Sequence, residues 1–149
     1  MTIFFCFVNL IYRVFQPRYL NIYFLMEGKL IMKQWEIWKI DLTQLTDPAI
    51  LSQISEEKNE INYCIIVTGQ SYLDTYHAPT VLPILLHCLG SYSAIAIEGS
   101  KQTGLFCESY ITCNQILTVQ RNIFIKKVGM VPENLRSKIQ NKMFAYFKE

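Results

Sequence analysis

The stretch QWEIWKID at residues 34–41 decides the fold class. Trp35, Ile37 and Lys39 fall on one side of an extended chain, and the residues between them fall on the other side. Aromatic and β-branched side chains favour strands, and Asp41 is a typical residue to end one. The sequence therefore predicts a β-strand here, and Met32 lies just ahead of it.

Further strand-like segments follow at fairly regular spacing. Residues 61–68 form a continuous apolar run that is typical of a buried central strand, closed by Gly69. A loop is expected around 70–78. The remaining predicted strands are 79–88, 93–98, 107–119 and 123–128.

Three residues modify these strands. Pro83 cannot donate a backbone hydrogen bond, so it requires an edge or a bulge in 79–88. Asn114 predicts a kink in the long segment 107–119, and Gly129 predicts the end of the last strand.

Two helices are expected, and only one of them is long. Asp47-Pro48 is a helix-entry signal that predicts a short helix inside the polar connection 42–60. Pro132 opens an amphipathic helix whose apolar residues recur every fourth position, with Phe144 beside them: Leu135, Ile139, Met143 and Phe147. Short strands followed by one helix are typical of a small barrel with a helical cap.

Residues 1–31 do not share this pattern. The first 25 are dominated by Phe, Ile, Leu and Tyr, with Arg13 and Arg18 as their only charges. They contain too many polar residues for a membrane span and lack the order of features of a signal peptide. We therefore predict a domain at 32–149 and a non-domain extension at 1–31. The extension is either the product of a mis-called start, which adds non-coding sequence ahead of the domain, or a disordered or apolar tail.

Composition excludes several classes of function. The net charge of +2 includes no large basic block, so a strong electrostatic affinity for nucleic acid is not indicated. The five cysteines form no C-x-x-C pair, and only two histidines accompany them, so neither a metal site nor a disulfide is expected. Thiols inside apolar runs are typical of core residues in a reducing cytoplasm.

Two segments, MKQWEIWKIDL and GLFCESYITCNQILTVQRNIFIKKVG, carry a resemblance to a known family. The first is similar to the opening strand, and the second to the later segment, of the MazF/PemK toxins of type II toxin–antitoxin systems. MVPENLRSKIQNKMFAYF is similar to the closing helix, and CIIVTG and TVLPI to the two strands between. The resemblance covers nearly all of 32–149 and none of 1–31.

The resemblance implies the fold, partners and chemistry of that family. The implied fold is mainly β with α, an SH3-like small barrel of about five to seven strands with a C-terminal packing helix. The implied protein is a cytoplasmic homodimer that binds a cognate antitoxin. Operator DNA, contacted together with that antitoxin, is a further implied partner, and the domain needs no membrane. The implied activity is cleavage of single-stranded RNA without a metal or other cofactor, which requires proton transfer and stabilisation of the oxyanion.

The sequence departs from the family at the two catalytic positions. The arginine expected at the head of the second strand falls on Asn62, which carries no charge. The hydroxyl residue expected at the end of the third strand falls on Leu85 when Pro83 and Ile84 anchor the alignment. An ungapped alignment from Pro79-Thr80 instead places His87 there, and a histidine can shuttle protons near neutral pH. His87 and Asn62 are therefore the candidate catalytic residues.

Other residues are candidates to bind the substrate. Gln115 matches a family position that contacts RNA, and Ser109 and Thr118 match polar positions of the family. Arg121 can contact phosphate, and Lys58 and Lys101 are weaker candidates for the same role. Either Trp35 or Trp38 can stack on a base, with the other in the core. The full set of predicted substrate-binding residues is Gln115, Trp38, Thr68, Ser109, Thr118 and Arg121.

Two functions remain open on the sequence. The first is a toxin that cleaves messenger RNA, with its activity impaired by Asn62 and Leu85. The second is a catalytically inactive member that acts as a dimeric module binding antitoxin, RNA or DNA.

Overall fold

The computed structural model describes residues 30–54, 61–76, 78–87 and 92–148. Residues Met32–Glu149 form one compact unit. The predicted extension lies outside the described residues except for Leu30 and Ile31, so its origin stays a prediction. Lys58 also lies outside them.

The described residues of this unit form seven strands and three helices. The strands are β1 Glu36–Ile40, β2 Tyr63–Ile66, β3 Thr80–Leu85, β4 Ala94–Ile97, β5 Ser109–Thr112, β6 Leu117–Thr118 and β7 Phe124–Met130. The helices are α1 Pro48–Gln53, α2 Gln70–Thr75 and α3 Glu133–Tyr146, and short 3-10 turns cover Leu42–Gln44 and Arg121–Ile123.

All strand pairs are antiparallel and join in the order β4-β5-β3-β2-β1-β7, with β6 also pairing with β3. The predicted fold class is confirmed: a mainly β, small barrel-like sheet of seven strands followed by a C-terminal helix. Within the described ranges, no helix is long and apolar enough to cross a membrane.

The sheet buries apolar side chains on both of its faces. Alternation along β1 sends Ile37 into one cluster and Trp38 into the other. The Ile37 cluster is capped by Ile139 of α3, while the Trp38 cluster is covered by the 3-10 turn Leu42–Gln44 and by α1, with Leu42 and Ile54 buried. Both clusters must be filled for the sheet to be stable, because each face would otherwise expose apolar surface.

The loop at 99–105 packs closely against β7. The amide of Met130 donates to the carbonyl of Gln102 over 2.9 Å. Gly104 adopts a φ of 68°, and a Cβ there would overlap the backbone of Val128. A Cβ on Gly129 would overlap the backbone of Thr103 in the same way. The approach of these two backbones therefore requires glycine at both positions.

Glu36 is a buried carboxylate at the start of β1. Its Oε2 accepts hydrogen bonds from the Lys33 amide at 2.9 Å and the Trp38 indole at 3.0 Å, and its Oε1 pairs with Lys127 at 2.8 Å. Burial raises the pKa of Glu36, but Lys127 and the two N–H donors together hold this pKa below its usual range. The charged form of Glu36 is therefore favoured by folding.

We expect Glu36→Gln to lower the free energy of unfolding at pH 7 by about 1–3 kcal/mol, because it removes a charged partner from buried donors. The folded-state pKa lies below the unfolded one, so this contribution is present above the ordinary glutamate pKa of about 4.3 and is lost as the pH falls further. Urea unfolding at pH 7 and at a pH below the ordinary glutamate pKa of about 4.3 measures this loss. The control is Glu98→Gln at an exposed position, and equal effects of the two variants at pH 7 would contradict the prediction.

Several predicted boundaries were wrong. The segment 107–119 is two strands, β5 and β6, because the pairing of β6 with β3 is offset from that of β5 and residues 113–116 leave the ladder. Helix α2 occupies the predicted loop at 70–78. Gly129 does not stop β7, which continues to Met130. At the end of α3, Phe144 and Phe147 are exposed and do not extend the apolar face.

Pro83 lies in the central strand β3 and not at an edge of the sheet. Its carbonyl accepts from the Thr112 hydroxyl at 3.0 Å, so residue 83 directs its backbone polar groups towards β5 and β6. The ladder is interrupted on that side, between β5 and β6, so the missing donor of Pro83 leaves no strand partner unsatisfied. The irregularity expected for Pro83 is therefore present, but it lies in residues 113–116, between β5 and β6, and not in β3 itself.

The cysteines were predicted as core residues, and this is confirmed for two of the three that the structure describes. Cys64 and Cys113 are buried, whereas Cys107 is exposed in the loop before β5. Burial raises the pKa of Cys64, and it raises the pKa of Cys113 to about 11. Cys64 and Cys113 therefore stay protonated near neutral pH.

Candidate functional site

The two candidate catalytic residues lie at the same end of the sheet. Asn62 directly precedes β2, and its carbonyl accepts from the Ile40 amide at 3.0 Å. The register pairs Tyr63 with Ile84, so one residue further on Asn62 lies opposite Leu85, and His87 follows β3. Asn62 and His87 are both exposed. Both side chains can therefore meet a ligand at this end.

Leu85 occupies the position where the resemblance implies a hydroxyl, and its side chain is buried in the Trp38 cluster. An aliphatic side chain directed into the core can neither transfer a proton nor contact a substrate. The structure therefore leaves Asn62 and His87 as the polar candidates among the described residues at these aligned positions.

The opposite end of β2 and β3 carries a group of threonines. The hydroxyl of Thr68 accepts from the Thr80 amide at 2.6 Å and donates to the Thr80 carbonyl at 3.3 Å. The hydroxyls of Thr80 and Thr118 lie 3.1 Å apart. Thr68 and Thr118 are thus brought together through Thr80, a residue that the sequence did not identify as a candidate. Of these hydroxyls, Thr118 belongs to an exposed residue.

Arg121 ties this end of the sheet to helix α2. Its Nη2 donates to the carbonyl of Leu73 at 2.9 Å and to that of Tyr76 at 3.4 Å. Carbonyls at a helix C-terminus lack intrahelical donors, and a cation there also opposes the helix dipole. Arg121 therefore stabilises α2, whatever else it contacts.

Two exposed tyrosines, Tyr72 in α2 and its C-cap residue Tyr76, were missed by the sequence analysis. Tyr72 and Tyr76 stack with ring centroids 5.9 Å apart and an interplanar angle of 16°. The spacing of four residues was the available signal, but these residues had been predicted as a loop. The pair is an exposed aromatic surface at the same end of β2 and β3 as Thr118 and Arg121.

Trp38 and Ser109 do not offer the contacts predicted for them. The Trp38 ring is 4% exposed, packs edge-on against Phe124 and donates its N–H to Glu36. Trp35 is buried too, at 8% exposed. Ser109 is buried and donates to the carbonyl of Cys107 at 3.2 Å. Burial therefore argues against base stacking on either tryptophan and against a substrate contact from Ser109.

Gln115 lies in the segment 113–116 that leaves the ladder between β5 and β6. Its side chain is half-buried, and its Oε1 accepts from the Thr112 hydroxyl at 3.5 Å. Lys101 is exposed in the loop at 99–105. Among the residues that can be described, no group of three or more His, Cys, Asp or Glu side chains is placed to hold a metal ion.

The family described as "PemK-like, MazF-like toxin of type II toxin-antitoxin system" matches residues 33–147. The chain belongs to this family. The resemblance drawn from the sequence is confirmed, and the matched range starts within the first residues of the unit Met32–Glu149. No curated protein sequence matches the chain.

Solved structures of MazF toxins share the fold. MazF from Deinococcus radiodurans aligns with a TM-score of 0.60 at 6% identity, covering 80% of this chain and 98% of its own. The Mycobacterium tuberculosis toxin MazF-mt6 aligns at 0.57 and 13% identity, covering 75% and 95%. An endoribonuclease from Mycobacterial species, in complex with its cognate antitoxin, aligns at 0.58 and 12% identity, covering 78% and 95%. At these identities the likeness concerns the fold.

Proposed function

We propose that this PemK-like chain is an endoribonuclease that cleaves single-stranded RNA and is neutralised by a cognate antitoxin. The observation that carries the proposal is the family match over 33–147, which spans the whole sheet and α3. One solved structure that shares the fold is an endoribonuclease in complex with its cognate antitoxin. We propose a cytoplasmic homodimer as the working form.

In this proposal Asn62 and His87 carry the chemistry. The 2′-hydroxyl of the RNA attacks the neighbouring phosphorus while the bond to the 5′-oxygen breaks, leaving a 2′,3′-cyclic phosphate. His87 accepts the proton of the 2′-hydroxyl, and solvent water supplies the proton that the leaving 5′-oxygen takes up. The Asn62 amide donates a hydrogen bond to the phosphate oxygens, but it adds no positive charge. The activity is therefore expected to be weak.

His87→Ala should lower the rate of RNA cleavage by about 10²–10⁴-fold, because it removes the proposed proton carrier. Purified full-length protein is incubated with single-stranded RNA, and the 2′,3′-cyclic ends are counted. The control is Gln140→Ala, an exposed change on α3. Cleavage by His87→Ala at the wild-type rate would show that His87 is not catalytic.

A second candidate function is favoured by the burial of Leu85 and the absence of charge on Asn62. It is an inactive, dimeric module that binds antitoxin, RNA or operator DNA. In that case wild-type protein leaves RNA intact and its expression does not arrest growth, while it still forms a dimer.

A further inference from the structure

Two lysines and a tyrosine form one cross-strand row on β7, β1 and β2. Lys39 of β1 pairs with Lys126 on one side and with Tyr63 on the other. Directly opposed residues of antiparallel strands project from the same face, with their Cβ atoms about 4.5–5.5 Å apart. Lys126 is exposed, and Lys39 and Tyr63 are half-buried. Two ammonium groups therefore share one face of the sheet beside a phenol.

The two lysines of this row lack the ion pair that the neighbouring Lys127 forms. Lys127 is neutralised by Glu36 at 2.8 Å, whereas Lys39 and Lys126 form no ion pair with any residue in the described ranges. Like charges that face each other across two strands destabilise the pair. Lysine on an edge strand protects against aggregation, which accounts for Lys126 on β7. It does not account for Lys39, because β1 lies between β2 and β7.

The row and the candidate catalytic residues share one end of the sheet but not one face. The amide of Ile40, next to Lys39, donates to the Asn62 carbonyl. Side chains alternate along a strand, so Lys39 and Tyr63 project from the Ile37 face, whereas Leu85, which lies opposite Asn62, is on the Trp38 face. An RNA strand that reaches both places therefore passes around this end of the sheet. An anion bound at the row would relieve the repulsion between the two ammonium groups, and a phosphodiester can accept from both of them and from the phenol.

We propose that Lys39 and Lys126, assisted by the Tyr63 hydroxyl, bind a backbone phosphate of the RNA strand where it passes around this end of the sheet, outside the cleavage position. This inference rests on the proposed function and adds a positively charged contact to the RNA backbone away from the catalytic residues. A lysine binds a phosphate as a point charge without regard to base identity, so the row contributes to affinity and not to sequence preference.

The test is the salt dependence of RNA binding. The probe is a short single-stranded 2′-O-methyl RNA of random sequence, which cannot be cleaved because its 2′-oxygen is blocked. Dissociation constants of the full-length protein are measured from about 50 to 200 mM salt. Lys39→Ala/Lys126→Ala should flatten the slope of log K against log salt by about 0.7, the value for one single-strand phosphate.

The matched control is Lys138→Ala/Lys148→Ala, which removes the same charge from exposed positions outside the sheet. It should leave the slope unchanged, and Lys39→Arg/Lys126→Arg should restore it. Thermal melting shows that each variant is folded.

Three results would overturn the inference. An equal slope in the two double alanine variants would exclude this phosphate site while leaving RNA binding intact. Failure of the wild-type protein to bind the RNA would refute the proposed function as well. The same dependence on Lys39 and Lys126 with duplex DNA of equal length would identify a general polyanion surface instead of an RNA contact.

Discussion

Gly129→Ala should lower the free energy of unfolding by about 3 kcal/mol, the upper part of the range for overpacked sites. A Cβ at residue 129 would overlap the backbone of Thr103 and Gln102. Backbone atoms cannot turn aside as a flexible side chain can, and this loop is held to β7 by the hydrogen bond from Met130 to Gln102. Either the loop or the strand must therefore move.

The matched control is Gly69→Ala. A Cβ on Gly69 would meet only the ring of Tyr72 at 4.0 Å, an ordinary contact. Gly69→Ala should lower the free energy of unfolding by less than about 1 kcal/mol. Gly69 is the N-cap of α2 and makes no side-chain hydrogen bond that the substitution could remove. Urea unfolding followed by the fluorescence of Trp35 and Trp38 measures both. Equal stability of the two variants would show that the loop does not press against β7.

The strands could be predicted where their pattern is strong. The alternation around Ile37 and Trp38 gives β1, and the apolar run at 61–68 gives a β2 that is buried between two neighbours. The four-residue spacing of Leu135, Ile139 and Met143 gives α3, whose Ile139 is fully buried. These elements are predictable because each apolar face is set by its own local period.

Elements that depend on distant contacts were not predictable. Helix α2 has six residues, and its stability comes from the buried Leu73, from Arg121 on its carbonyls and from Gln70, which bonds the backbone of Met32 and Gln34. A helix this short is marginal without such contacts. Its local sequence is typical of a loop.

The turn before β1 shows the same limit. Trp35 was predicted inside the strand, but it adopts a φ of 70° ahead of Glu36. This conformation is uncommon for a residue with a side chain. It is held by hydrogen bonds from the Trp35 amide to Ile66 and from the Val131 amide to Trp35, at 2.8 and 2.9 Å. Both partners lie far away along the sequence, so no local pattern reports them.

The candidate site was predictable by residue type but not by exposure. Asn62 and His87 were expected on the ends of strands, and both are exposed there. Ser109 and Trp38 occupy family positions as well, yet the sheet buries them. A polar or aromatic residue at an aligned position can pack in the core as readily as it can bind a ligand. Only the three-dimensional packing distinguishes these two roles.

Asn62→Arg should raise the rate of RNA cleavage by about 10²-fold, the lower part of the range for one donor to an oxyanion. The exposed side chain of Asn62 leaves room for a longer residue, and the bond from Ile40 to its carbonyl does not depend on the side chain. A guanidinium provides charged, paired donors to phosphate oxygens, which the neutral amide cannot. Counting 2′,3′-cyclic ends under single-turnover conditions measures the gain.

The control separates added charge from added catalysis. Asn141→Arg places the same charge on an exposed position of α3, so it can only strengthen general attraction for RNA. A charge that helps binding alone lowers KM, whereas one that acts on the transition state raises kcat. If Asn62→Arg raises kcat no more than Asn141→Arg does, the end of the sheet carrying Asn62 and His87 is not where RNA is cut. If neither variant nor the wild-type protein yields 2′,3′-cyclic ends, the inactive binding module is the candidate function that remains.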